Sequence, residues 1–92
     1  MNAVRAHLLI EGRVQGVFYR AFTSNIALKL GLQGWVRNNP DGRVEAVFEG
    51  SRQLIEQAIE ECRRGPVGSK VADISVSWKE EPEGLSGFEI RY

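Results

Sequence analysis

Residues 12–20 read GRVQGVFYR, with two glycines, two arginines and no acidic residue. A turn through Gly12 and Gly16 into a helix beginning near Arg20 would gather successive backbone N–H groups at one concavity, beside the positive end of a helix dipole. Arg20 adds a planar guanidinium whose forked donors match two phosphate oxygens at once. This is anion-binding chemistry, although a glycine-flanked turn with arginines is also an ordinary connection. A second group, GWVRNNPDG at 34–42, sets Asn38 and Asn39 before a turn. Asparagines there commonly bond their own backbone. Asn38 shares the strand parity of Val36 but lies where the strand ends, so it also reads as an exposed terminal amide.

Other chemistries lack their residues. His7 is the single histidine and Cys62 the single cysteine, too few donors for the usual Cys/His zinc sets, and no calcium loop of spaced acids is present. A Ser-His-Asp triad would have to use His7, which the alternation places mid-strand, opposite Ala6 and Leu8; it reads as a partly solvated strand residue without a chemical role. No GxxxxGK[ST] occurs, and GRVQG lacks the third glycine of a dinucleotide fingerprint. Arg13, Arg37 and Arg43 would either raise the potential around an anion pocket or simply be solvated.

The elements that must position these residues follow from periodicity. Val4, Ala6, Leu8 and Ile10 alternate with polar partners as a strand with one covered face. From Tyr19 or Arg20 the spacing turns helical, with Phe22, Ile26, Ala27 and Leu30 on one side and Gly31 placed to end it. Two β-rich runs around Asn-Pro-Asp-Gly at 39–42 predict a hairpin, with Val44, Ala46 and Phe48 on one face and Arg43, Glu45 and Glu49 on the other. Ser51 caps a second helix with Leu54, Ile55, Ala58, Ile59 and Cys62 inward, closed by Gly65-Pro66. Residues 71–79 alternate again, Ala72, Ile74, Val76 and Trp78 sharing the covered face, and a short strand holds Phe88, Ile90 and Tyr92. The order βαββαβ plus a terminal strand predicts an α+β, ferredoxin-like two-layer sandwich, its antiparallel sheet covered on one face by two helices.

Ninety-two residues suit a single domain, expected over 1–92. Twelve basic and twelve acidic residues balance, which argues against nucleic-acid or membrane-surface binding by bulk charge. One cysteine allows no internal disulfide, and the N-terminal apolar run is too short for a signal peptide or a span, so a soluble cytoplasmic protein is expected.

Gly12, Val14, Gln15, Gly16, Val17 and Arg20 fall on the fixed positions of G-x-V-Q-G-V-x-[FH]-R, with Tyr19 in place of Phe or His. Gly34, Trp35, Val36, Arg37, Asn38, Gly42, Val44 and Gly50 match G-[FYW]-V-[KR]-N-x(3)-G-x-V-x(5)-G. In these two signatures, over 12–50, the chain resembles the acylphosphatase family, and its length and element order agree nearly throughout. The resemblance implies hydrolysis of the carboxyl–phosphate bond of acyl phosphates by direct attack of water, without metal, cofactor or covalent intermediate. It assigns Arg20 to phosphate binding and catalysis and Asn38 to holding the water. The backbone N–H groups of Val14, Gln15, Gly16, Val17, Phe18 and Tyr19 would hold the phosphoryl oxygens. The expected partners are a small-molecule acyl phosphate and product phosphate, with no nucleic acid or membrane, and the expected state is a monomer.

Two rivals share the fold. An RNA-binding sandwich would expose aromatics on its central strands, where this chain has Glu45 and Glu49 in RVEAVFEG. A relative of the family could also serve as a partner-binding module.

Overall fold

The computed structural model describes residues 3–92; the first two residues of the expected domain lie outside the described residues. Apolar alternation builds β1, Val4–Arg13, burying Val4, Ala6, Leu8 and Ile10 on one face. Helix α1, Tyr19–Leu30, buries Ile26 and Ala27 and stops at Gly31 in the left-handed conformation. The hairpin forms from β2, Gln33–Asn38, and β3, Val44–Gly50. Ser51 caps α2, Arg52–Arg64, by accepting from the Leu54 N–H, and Ile55, Ala58, Ile59 and Cys62 face the core. Strands β4, Lys70–Lys79, and β5, Phe88–Arg91, complete the order.

The sheet runs β4-β1-β3-β2-β5. Its pairings are antiparallel except β2 with β5, which is parallel. Each helix crosses between parallel strands that leave room for a third, which is the split-βαβ arrangement of a ferredoxin-like sandwich. Helix α1 lies over β2 and β5, and α2 over β4, β3 and β1. Between helices and sheet the core gathers Leu8, Ile10, Tyr19, Val36, Phe48 and Ile55, all essentially inaccessible.

One strand face differs from its pattern. Ala72, expected on the covered side, is exposed, and Val71 packs against the core instead. The β1–β4 register slips at Glu11/Gly12, where Glu11 faces Asp73 and Gly12 faces Val71. The extra residue is a β-bulge in β4 that reverses the side-chain alternation beyond it. Gly12 answers the bulge: a Cβ there would lie 2.1 Å from the Lys70 carbonyl oxygen.

The outer face of the sheet is charged and mostly paired. Glu45 accepts from Arg37 and pairs with His7. Glu49 is buried there and accepts from Arg5 Nη1 at 2.8 Å and from the backbone N–H groups of Glu83, Gly84 and Leu85. One carboxylate thus ties the connection between β4 and β5 to the middle of the sheet.

Candidate active site

The chain leaves β1 at Arg13 and enters α1 at Tyr19 through a loop with two residues in the left-handed region, Gly16 at φ 75° and Phe18 at φ 60°. Glycine adopts this conformation freely, whereas a bulky residue does so at a cost of roughly 1–2 kcal/mol. The backbone N–H groups from Gln15 to Arg20 have no hydrogen-bond acceptor among the described residues. Part of that set is the unpaired first turn that every helix presents, here preceded by a strongly turning loop.

The loop is fastened from both sides. Gln15 Nε2 donates to the carbonyls of Asn39, at 2.8 Å, and Arg43, at 3.0 Å, so its side chain clips the loop to the β2–β3 turn. Tyr19, buried, donates its hydroxyl to the Cys62 carbonyl at 2.6 Å, joining the start of α1 to the end of α2. Burial, with Cys62 beside it, pushes the Tyr19 phenol well above its ordinary range, so it is a fixed donor and not a proton shuttle. Burial likewise pushes the Cys62 thiol up to about 12, which leaves it unreactive.

Loop, helix start and strand ends enclose a pocket of about 330 Å³. Of the expected site residues, Val14, Gly16, Phe18, Tyr19, Arg20 and Asn38 line it, while Gln15 and Val17 do not. Val17 leans on the core. Asn38 ends β2 on the same face as Val36 and is half-buried; its Oδ1 is buried and bonds to no group among the described residues. It is therefore not an exposed terminal amide: the residue lines the pocket and its amide oxygen is buried.

Arg20 Nη1 donates to the Arg91 carbonyl at 3.1 Å, and its guanidinium carbon sits 4.7 Å from the centre of the Tyr92 ring. Among the described residues no carboxylate pairs with it, unlike Arg37 and Arg43, whose charges are taken by Glu45 and Asp41. Arg13 lies on another surface, beside Lys70. The arginines outside the pocket therefore add little to its field.

Ile90 and Tyr92, also on the pocket wall, were not anticipated. Their shared parity with Phe88 was visible in the sequence, but the pairing that sets β5 beside β2, and so beside Asn38, was not. The pocket walls hold no carboxylate, imidazole or thiol side chain. What they offer is a guanidinium without a carboxylate partner and a row of N–H donors without acceptors among the described residues, beside the Asn38 amide: binding and positioning for an anion and a water, without a side-chain nucleophile or base.

The Acylphosphatase family model matches residues 6–90. The acylphosphatase of Trichormus variabilis is 53% identical over 88 residues, covering 96% of this chain and 86% of that protein. That of Haloquadratum walsbyi is 54% identical over 87 residues, covering 95% and 92%. The crystal structure of acylphosphatase from Bacillus subtilis superposes with a TM-score of 0.95 at 40% identity, covering 97% of this chain and 99% of that one.

Proposed function

The chain belongs to the acylphosphatase family, hydrolases that act on acyl phosphates, and we propose that it works by direct attack of a water at Asn38 on a phosphoryl group held by Arg20 and the 14–19 loop. The observation that supports this most is the convergence in one pocket of Arg20, which meets no carboxylate among the described residues, a loop whose N–H groups find no acceptor among them, and Asn38, whose buried Oδ1 finds no donor among them.

The chemistry suits so spare a site. The leaving group is a carboxylate, a weak base that departs without a general acid. Arg20 and the loop N–H groups neutralise the charge spreading over the phosphoryl oxygens, while Asn38 orients water opposite the departing oxygen. The P–O bond to the acyl oxygen breaks as water bonds to phosphorus, and the water's proton passes to a phosphoryl oxygen of the substrate. The products are a free carboxylate and inorganic phosphate. Ordinary phosphate monoesters, whose leaving groups are poor, stay intact. We also place the protein in the cytoplasm as a monomer, a reading supported by its single buried thiol.

Benzoyl phosphate and p-nitrophenyl phosphate, followed in parallel with a chelator present, test the proposal. Rapid loss of the first with the second untouched is expected. No hydrolysis of either by folded protein would leave an anion-binding loop without turnover.

A further inference from the structure

A phosphoryl dianion is served by donors, and only part of the pocket lining supplies them. The lining also includes the apolar side chains of Val14 and Ile90 and the rings of Phe18 and Tyr92. Phosphate has no use for such a surface, since apolar walls only strip water from a charge.

The two rings stand out. Phe18 is 85% exposed and Tyr92 99% exposed, among the few large apolar side chains so placed in the described residues. Single exposed hydrophobics are common and need no explanation, but these two line the same pocket. Phe18 is also the only described residue other than glycine with a positive φ. A bulky side chain in that region is a conformational outlier, and such outliers gather where function holds them. Phe18 lines the pocket together with Gly16 and the first residues of α1. The Tyr92 ring flanks the Arg20 guanidinium at 4.7 Å.

Connectivity says what would meet those rings. In an acyl phosphate the carbonyl carbon is one oxygen removed from phosphorus. A substrate whose phosphoryl group lies against Arg20 must therefore place its acyl part beside the rest of the lining. We infer that Phe18 and Tyr92 form an acyl-group subsite that favours aromatic or other flat, apolar acyl phosphates over small ones. This rests on the hydrolase reading above and adds to it a substrate class. Flat rings meeting flat rings gain offset or edge-on contact beyond simple area burial, while an acetyl group has only one methyl to bury.

The test is a ratio. The kcat/KM for benzoyl phosphate is divided by that for acetyl phosphate in the wild type and in Phe18→Ala, Tyr92→Ala and Phe18→Tyr, with folding followed by circular dichroism. Intrinsic differences between the leaving groups, and any loss common to both substrates from altering the loop, cancel when each ratio is set against that of the wild type. In each alanine variant the ratio falls about fivefold or more, and Phe18→Tyr keeps it. Should Phe18→Ala fail to fold, Tyr92→Ala alone decides, because its ring lies at the surface. A wild type that turns over both substrates, with a ratio unmoved by ring removal, overturns the subsite and leaves the hydrolase intact. A wild type that hydrolyses neither overturns the hydrolase reading and the subsite with it.

Discussion

Arg20 is the residue on which the site's electrostatics turn, because it alone of the pocket's groups brings a full charge and meets no carboxylate among the described residues. Its guanidinium is already held, by the Arg91 carbonyl and the Tyr92 ring, before any anion arrives. Preorganised donors of this kind are worth about 10²- to 10³-fold in turnover, so Arg20→Ala and Asn38→Ala should each lose at least about that much kcat while circular dichroism stays unchanged. Arg20→Lys fails too, since an ammonium cannot span two oxygens as a fork does. Near-normal kcat in a folded variant removes that residue from the mechanism. At this scale part was legible: the types and spacing of Gly12, Gly16 and Arg20 suggested anion-binding chemistry, while a role for Asn38 came only from the family resemblance. Two things were not. The burial of the Asn38 amide oxygen depends on packing at the strand's end. The hydroxyl that distinguishes Tyr19 from the Phe or His of the signature gains meaning only from the Cys62 carbonyl, distant in sequence.

Among the elements, β5 is the one whose placement the site needs and whose own hold on the sheet is short, four residues paired along one side. The connection that delivers it is pinned by Glu49 through three backbone N–H groups and Arg5. Burial alone would raise the Glu49 pKa, but the N–H groups of Glu83 and Leu85, with Arg5, outweigh it and hold the carboxyl below its usual range. A carboxylate with a lowered folded-state pKa adds stability that is fully present above the unfolded value, about 4.3, and is lost as pH falls through the folded one. Glu49→Gln should therefore cost about 1.5–3 kcal/mol at neutral pH, and the gap to wild type should close in acid. Urea melts at pH 7 and at pH 3 measure this; a gap that stays constant between them would mean the charge is not what Glu49 supplies. The seven elements themselves were readable from alternation and caps. The β4 bulge was not, because it arises where two strands meet, and only Ala72, pointing outward against its pattern, records it.

Across the whole molecule, the pocket draws on segments far apart in the chain: the 14–20 loop, Asn38 and the residues from Ile90 to Tyr92. No contiguous fragment holds it, and the strand order that assembles it pairs β1 with β4 and β2 with β5. Topologies dominated by such distant pairings commonly fold in milliseconds to seconds. The two tryptophans lie toward opposite edges of this sheet, each beneath an arginine. Trp78 on β4 has the Arg52 guanidinium from α2 at 4.2 Å, and Trp35 on β2 has that of Arg91 from β5 at 4.6 Å. A domain of this size that unfolds as one unit should then give the same urea midpoint from Trp35→Phe, which leaves only the Trp78 signal at the β4 edge, and from Trp78→Phe, which leaves only the Trp35 signal beside β5, after each is normalised to its own stability by circular dichroism. An earlier transition at Trp35, accompanied by loss of turnover, would instead reveal β5 peeling away on its own. The stacked arginines thus give the molecule two built-in optical gauges, and the one beneath Arg91 reads the edge that the candidate pocket shares.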